Sequence, residues 1–372
     1  METCSFLDYF EDMPDHRIDR KKLYPCNELL LLTLCAVISG AEGWSDVEDY
    51  GEIKLEFLRN YLPYNNGVPS DDTLRRFFRS LDAKYFQEKF CAWASSIMSS
   101  SEIKLISIDG KTSRHSFDGS NSALHMVSAF ASEARIVMCQ EKVSDKSNEI
   151  TAIPNLLEWL DLKGAIVTID AMGCQFEIAN KIINKGGEYI FSLKGNQGSL
   201  NEDVRLFFED KELISGSNID EFETVDGGHG RIETRKCLVC NDISWLTKRH
   251  KNWSSIKSII KIESTREIKG LSSSESRYYI SSIQKEASQV LHAIRSHWAI
   301  ENSLHWVLDM SFADDKSRIR KGNAPQNMSV IKHVALNMIR NVKKERQSIK
   351  RMRKISGWSD IAMNDIICQI KF

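Results

Sequence analysis

A chain of 372 residues, 42 % hydrophobic and 27 % charged, has room for two or three domains and a large core, and reads as an ordinary soluble globular protein with no disorder expected outside the tail. The formal net charge of −1 hides an asymmetry: residues 1–100 carry 11 Lys and Arg against 17 Asp and Glu, whereas residues 316–354 carry 13 Lys and Arg against the single acid Glu345. The longest apolar run, Leu29 to Ser39, is too short for a bilayer span, and the nine cysteines read as free thiols, so the expectation is a cytoplasmic protein with no membrane partner.

Residues 1–100 read as a helical domain: a buried helix at Leu29–Ser39, a second from Ser45 to Leu62, and a third capped by Ser70. In the third, Asp71 and Asp72 favour the positive helix end and Leu74, Phe77, Phe78 and Leu81 form an apolar stripe, with Arg75, Arg76 and Arg79 outward. DNA binding and assembly are both open roles for it. From residue 103 the pattern alternates. IKLISIDG, ALHMVSAFA and RIVMCQEKV read as three strands, NEITAIPNLLEWL as a helix, AIVTID as a strand, FEIANKIINKG as a helix and EYIFSLK as a strand. That order describes an α/β fold with a mixed sheet and helices on its faces. A polar helix follows near Gly198–Lys211, then a β-rich insertion at about 213–283. Within it, Cys237 and Cys240 could be half a zinc site, but their alternating surroundings favour a strand. Helical pattern resumes at Ser288, with a further helix from Gln326 to Lys344. Residues 344–372 close the chain as a basic tail, whose charge, with the rest of this cationic region, points to a polyanion partner.

Two acids stand after apolar strands, Asp109 in LISIDG and Asp170 in AIVTID, where the carboxyl edge of an open sheet binds ligands. A third, Glu301 in HWAIENSLHWVLD, lies within about 60° of Ile294, His297, Trp298, Leu304, His305 and Leu308 when the segment is drawn as an α-helix. That places a carboxylate on the face expected to be buried. Either His297 or His305 satisfies it as a structural group, or a cation meets it there together with the two aspartates. Three carboxylates with hard oxygen donors suit two Mg²⁺ or Mn²⁺ ions and phosphoryl transfer. A glycosidase with paired carboxylates is the rival chemistry, one that needs neither metal nor a cationic region.

The segments LLLLTLCAVISGAEGW, IDGKTSRHS, SNEITAIPNLLEWLDLKGAIVTIDAMGCQ, GGEYIFSLKGNQG, HGRIETR and IRSHWAIENSLHWVLD carry a resemblance over nearly the whole chain. It resembles the H-repeat-associated insertion-sequence transposases of bacteria, members of the DDE superfamily with a ribonuclease-H-like core. The resemblance implies a metal-dependent endonuclease and strand transferase in residues 101–343, with Asp109, Asp170 and Glu301 catalytic and metal-binding. It also implies double-stranded DNA as partner (element ends and target), a homodimer when two ends are bound, and association with the bacterial nucleoid. The alternative is an inactive relic that still binds DNA. Relatives often carry Tyr, Arg, Glu and Lys around the catalytic Glu; here Ile294, His297 and Leu308 stand at the Tyr, Arg and Lys places.

Further residues are expected around this set. His297, Asn302 and His305 support Glu301; Lys111, Lys194, Asn196 and Gln197 lie at the sheet edge as donors to DNA. Arg231 and Arg235, with His229, suit a DNA-facing hairpin, and Arg295, Lys316 and Arg318 are substitutes for the missing basic motif positions. Trp298 and Trp306 are expected in the core or an interface.

Overall fold

The computed structural model describes residues 5–15, 17, 22–98, 105–117, 122–144, 147–228 and 230–368, which leaves His229 outside the described residues. Five helices lead: α1 (Ser5–Phe10), α2 (Cys26–Ser39), α3 (Trp44–Leu58), α4 (Asp71–Ser80) and α5 (Ala83–Ser96). Helix α2 is buried on every side from Glu28 to Ile38, as its apolar run demands, and no single described helix is long and apolar enough to cross a membrane. Helix α4 starts as its sequence dictates, with Ser70 accepting from the Thr73 amide and Arg75 and Arg76 paired back to Asp71 and Asp72. Helix α5 escaped the sequence reading. Its signals were present: Asp82 accepts from the amides of Lys84 and Tyr85, and Phe86, Phe90 and Trp93 repeat at helical spacing and are buried.

The sheet region follows as β1 (Leu105–Ser113), β2 (Leu124–Ala131), β3 (Ile136–Lys142), α6 (Glu149–Glu158), β4 (Ile166–Ile169), α7 (Phe176–Asn184), β5 (Glu188–Leu193), α8 (Gly198–Glu209) and α9 (Lys211–Ser215). Strands β1, β4 and β5 are parallel, and β2 and β3 are antiparallel on the far side of β1. The order β3-β2-β1-β4-β5 is the mixed sheet of a ribonuclease-H-like core. The β-rich insertion is a meander of β6 (Ile219–Gly228), β7 (Arg231–Cys240), β8 (Ser258–Ile268) and β9 (Leu271–Ser281), with α10 (Ser244–Arg249) between β7 and β8. It does not stand apart. Strand β9 pairs antiparallel with β5, so nine strands form one continuous sheet. Cys237 and Cys240, three apart on β7, fall in different apolar clusters, which a pleated strand requires and a shared zinc ion forbids.

The chain then builds α11 (Ala287–Ala299), a π-helical segment (Ile300–His305), α12 (Trp306–Phe312) and α13 (Ala324–Val342). Helix α11 covers the sheet through Val290, Leu291, Ala293 and Ile294, which join Leu105, Ile190, Val239, Ile260 and Tyr279 in one apolar cluster. On the long buried helix α13, Asn337 serves the bulged edge strand β3. Its Oδ1 accepts from the Val137 amide at 2.9 Å and its Nδ2 donates to the Val137 carbonyl at 2.8 Å, so two edge groups are satisfied.

Two expectations are corrected. The basic segment is not an open tail: α14 (Ile349–Trp358) and α15 (Asp360–Ile367) fold onto the N-terminal helices. Arg353 is buried, donates twice to the Val37 carbonyl at the end of α2 and lies over the Phe312 ring at 4.2 Å, while Lys350, Arg351 and Lys354 remain exposed. The cysteines are not all free, because Cys91 of α5 and Cys139 of β3 form a disulfide that ties the helical region to the sheet.

Candidate active site

Asp109 does not end its strand, as its sequence position suggested; β1 runs on to Ser113, paired with β2. What ends there is the parallel pairing. Ile108 is the last residue of β1 in register with β4, opposite Ile169, so Asp109 and Asp170 are the next residues along two neighbouring strands. Their carboxylates are fixed by local backbone: Asp109 Oδ1 accepts from the Gly110 amide at 2.9 Å, and Asp170 Oδ1 from the amides of Met172 and Gly173 at 3.0 and 3.3 Å. Gly173 is required by packing, since a Cβ there would stand 2.3 Å from Cγ2 of Ile169.

Glu301 is exposed, which corrects its expected place on the buried face. The reason is the π segment at Ile300–His305: its wider turn breaks the 100° progression, so residues before and after it do not share one α-helical stripe. Leu304 and Leu308 stay in the core, while Trp298 and Trp306 are 42 % and 60 % exposed and are not core residues. Freed from the core, Glu301 lines an open cleft together with Asp170, Lys194 and Arg277. The cleft is anchored from beneath by His297, whose Nδ1 meets Oγ1 of Thr168 on β4 at 3.0 Å, and burial holds this imidazole below its ordinary pKa.

Burial pushes the Asp109 carboxyl up to about 7, and the negative charges of Glu149, Asp170 and Glu301 push the same way. His305 stands 3.6 Å from it through Nδ1, is driven down to about 4 by burial and so is neutral, and keeps a buried Nε2 with no partner among the described residues. No lysine or arginine forms an ion pair with Asp109, Asp170 or Glu301 among the described residues. A set of hard oxygen donors short of positive charge fits a divalent cation better than it fits any side-chain partner present. As they stand Asp170 and Glu301 line an open cleft, with Asp109 on the neighbouring strand, and the acids are not drawn in to ligating contact: among the described residues no three His, Cys, Asp or Glu groups enclose an ion-sized space.

Several expected DNA contacts are committed elsewhere. Lys111 is only 11 % exposed and is held by Asp309 at 2.6 Å, Asp315 at 3.3 Å and Asp314 at 3.4 Å, which leaves it no free reach to a phosphate. Asn196 and Gln197 donate to the carbonyls of Ala171 and Cys174 at 2.7 and 2.5 Å, so they brace the loop after Asp170. Lys194, Lys316 and Arg318 are exposed, and Lys194 faces the cleft.

A groove over the meander continues into this cleft and is lined by Arg231, Arg235, Arg266, Arg277, Arg295 and Trp298, with Asn302 at its margin. Its arginines are arrayed by carboxylates. Glu233 takes Arg231 at 3.1 Å, Arg266 at 3.0 Å and also Arg235, and Asp226 takes Arg235 at 2.7 Å and Arg295 at 3.0 Å. Arg266 and Arg277 were not anticipated from sequence; the alternating strand that carries Arg277, RYYISSI, was the available signal. Its guanidinium lies over the Trp298 ring at 5.2 Å.

Comparison with known proteins fits this geometry. The family described as "Transposase DDE domain" matches residues 100–338 and its associated domain, "DDE_Tnp_1-associated", residues 7–94. The protein named "Putative transposase YncI" of Escherichia coli O157:H7 is 43 % identical over 362 residues, 95 % of this chain and 92 % of its own length. "H repeat-associated putative transposase YhhI" of Escherichia coli strain K12 is 42 % identical over 361 residues, 95 % of each chain. "Inactive transposase YbfQ" of the same strain is 46 % identical over 76 residues, 20 % of this chain and 90 % of its own. A piggyBac transposase synaptic complex with hairpin DNA superposes with a TM-score of 0.43 at 10 % identity, covering 97 % of this chain and 76 % of that one, a distance at which the likeness carries no weight. The family match and the full-length relatives together establish that this chain belongs to the H-repeat-associated transposases of the DDE family.

Proposed function

We propose that the chain cuts DNA at the ends of a bacterial insertion sequence and joins them to target DNA, with Asp109, Asp170 and Glu301 as the acids that hold two Mg²⁺ or Mn²⁺ ions. The observation that carries this reading is the placement of Asp109 and Asp170 at adjacent positions of neighbouring strands, with Asp170 and Glu301 lining one cleft and, among the described residues, no lysine or arginine ion-paired to any of the three. Two such ions would supply Lewis-acid stabilisation of the attacking and leaving oxygens of the phosphodiester. The chain's own part is placement. His297, through Thr168, and the π segment hold Glu301 over the strand ends, Asn196 and Gln197 fix the loop that carries Asp170, and Lys194 offers a positive charge at the rim.

The arginine groove leads into that cleft and suits a DNA backbone, whose phosphates can exchange places with Glu233 and Asp226 on the guanidinium forks. The exposed Lys350, Arg351 and Lys354 of α14 offer a second phosphate-binding face, and the first 100 residues a region for DNA binding or assembly. Two element ends must be handled together, so a homodimer forms on DNA. A second reading, a relic that binds DNA without cutting it, is favoured by Ile294, His297 and Leu308 at positions where relatives carry Tyr, Arg and Lys. Incubating the protein with labelled terminal repeats separates the two: Mg²⁺- or Mn²⁺-dependent nicks at the element ends that EDTA removes support the transposase, and tight binding with no nicks supports the relic.

A further inference from the structure

Three segments distant in sequence put cations on one strip beyond the end of β1. The loop KSRIRKGN, residues 316–323, buries Ile319 and leaves Lys316, Arg318 and Lys321 exposed. One end of it is held at β1: the Asp315 carbonyl accepts from the His115 amide at 3.3 Å, and Arg320 Nε donates to the His115 carbonyl at 3.0 Å with its guanidinium 5.8 Å from the centre of the Phe117 ring. The other end is held at α4. The Asn323 amide donates to the Arg79 carbonyl at 3.2 Å and its Nδ2 to the Leu81 carbonyl at 3.0 Å. Gly322 adopts a left-handed φ of 58° there, in a place where a Cβ would stand 2.9 Å from the Arg79 carbonyl oxygen. The loop thus joins Arg114, just past β1, to Arg75, Arg76 and Arg79, exposed on α4, in one cationic face.

Its charge is in excess of what the protein itself neutralises. Arg75 and Arg76 pair with Asp71 and Asp72, and Arg114 with Asp315, whereas Arg79, Lys316, Arg318 and Lys321 have no carboxylate partner among the described residues. In a chain of net charge −1, cations gathered in this way repel one another, and a polyanion relieves the repulsion. The strip is separate from the arginine groove. Strand order puts β9 and the rest of the meander on the β5 side of β4, and this strip at the end of β1 on the other side. Arg114 lies five residues past Asp109, about 17 Å along the strand, so a duplex on the strip runs beside the acids. Charges on long flexible stems grip phosphates and read no bases, which suits a duplex of arbitrary sequence.

We propose that this strip seats a second DNA duplex, the target, by its phosphates, while the arginine groove seats the element end. The inference rests on the DNA reading above and gives each duplex its own flank of the acids.

The test uses the full chain saturated with unlabelled terminal-repeat duplex, in EDTA so that no strand is cut, and titrated with a fluorescent duplex of unrelated sequence. Anisotropy is read at three salt concentrations for wild type, K316A/R318A/K321A, R79A and R277A, and binding of labelled terminal-repeat duplex is measured separately. The triple variant is expected to lose about tenfold or more in affinity for the second duplex and about three units of its salt slope, with terminal-repeat binding within about twofold and the melting temperature retained. R79A is expected to lose several-fold on the second duplex, and R277A on the terminal repeat alone. Should the triple variant melt early, K316A and K321A singly are each expected to lose several-fold. Wild-type affinity for the second duplex in the loop variants, an equal loss for both duplexes, or no uptake of a second duplex by the wild-type complex overturns the proposal, and full affinity in R79A overturns the share of α4. Wild type that binds neither duplex overturns the DNA reading with it. Because nothing is cut in this assay, a failure of the acids to support cleavage leaves its result unaffected.

Discussion

His297 of α11 and Thr168 of β4 are joined by a 3.0 Å contact between Nδ1 and Oγ1, two residues before Asp170 and four before Glu301. This buried link sets the height of one acid over the other. Thr168→Val keeps the shape and removes the hydroxyl, so the imidazole loses its partner. The expected result is a loss of about 1–2 kcal/mol in stability and a fall in cleavage at unchanged DNA affinity. Thermal denaturation and a nicking assay on the same preparation check both.

Asn196 and Gln197 hold the Ala171 and Cys174 carbonyls, and their alanine variants release the loop that positions Asp170. Each is expected to cost about 1 kcal/mol and to reduce cleavage more than DNA binding. A DNA donor at these positions would instead lose binding first, a difference that gel-shift titration beside the nicking assay resolves.

The buried pair Asp314–Lys332, at 2.8 Å, is reinforced by the Ser113 hydroxyl and by Lys111. Lys332→Met leaves an enclosed carboxylate short of its nearest cation and is expected to destabilise by about 3–5 kcal/mol. Although burial alone would raise Asp314, the lysines more than offset it and hold the carboxyl well below its ordinary value. A lowered folded-state pKa means the contribution is complete above the unfolded aspartate value of about 4 and drains away as pH falls below it. Urea titrations across pH 3–7 should therefore show wild type losing stability at the acid end, and Lys332→Met losing less of it over the same range.

Arg277 lies at the junction of groove and cleft, over Trp298. Arg277→Ala is expected to weaken DNA binding by several-fold and to lower the salt slope of log affinity by about one unit. Fluorescence anisotropy at three salt concentrations reads the slope directly.

How much of this was legible from residues alone depended on the range of the forces involved. Asp109 and Asp170 announced themselves because an apolar strand followed by an acid is a local pattern, and the β1–β4 register then placed them side by side. Ser70 and Leu74, Phe77 and Phe78 likewise read true, since a cap and a stripe are decided within ten residues. Glu301 was found for the wrong reason. Its expected burial assumed a regular helix, and a π segment is set by how α11 and α12 each settle on the core. Lys111 reads as free in sequence because its partners Asp309, Asp314 and Asp315 are about 200 residues away, and Asn196 and Gln197 because their acceptors are main-chain atoms of another loop. The basic terminal segment shows its charge in sequence but not that Arg353 would close on Val37.

The most direct test of the account is cleavage of DNA carrying the element's terminal repeats, in Mg²⁺ or Mn²⁺, by wild type and Asp170→Asn in parallel. The substitution keeps the size of the side chain and an oxygen for the Met172 and Gly173 amides while removing the charge. End-specific nicks are expected from wild type and none from Asp170→Asn at equal stability and DNA affinity. Equal cleavage by both proteins would contradict it, because the acid at the end of β4 would then have no part in the chemistry.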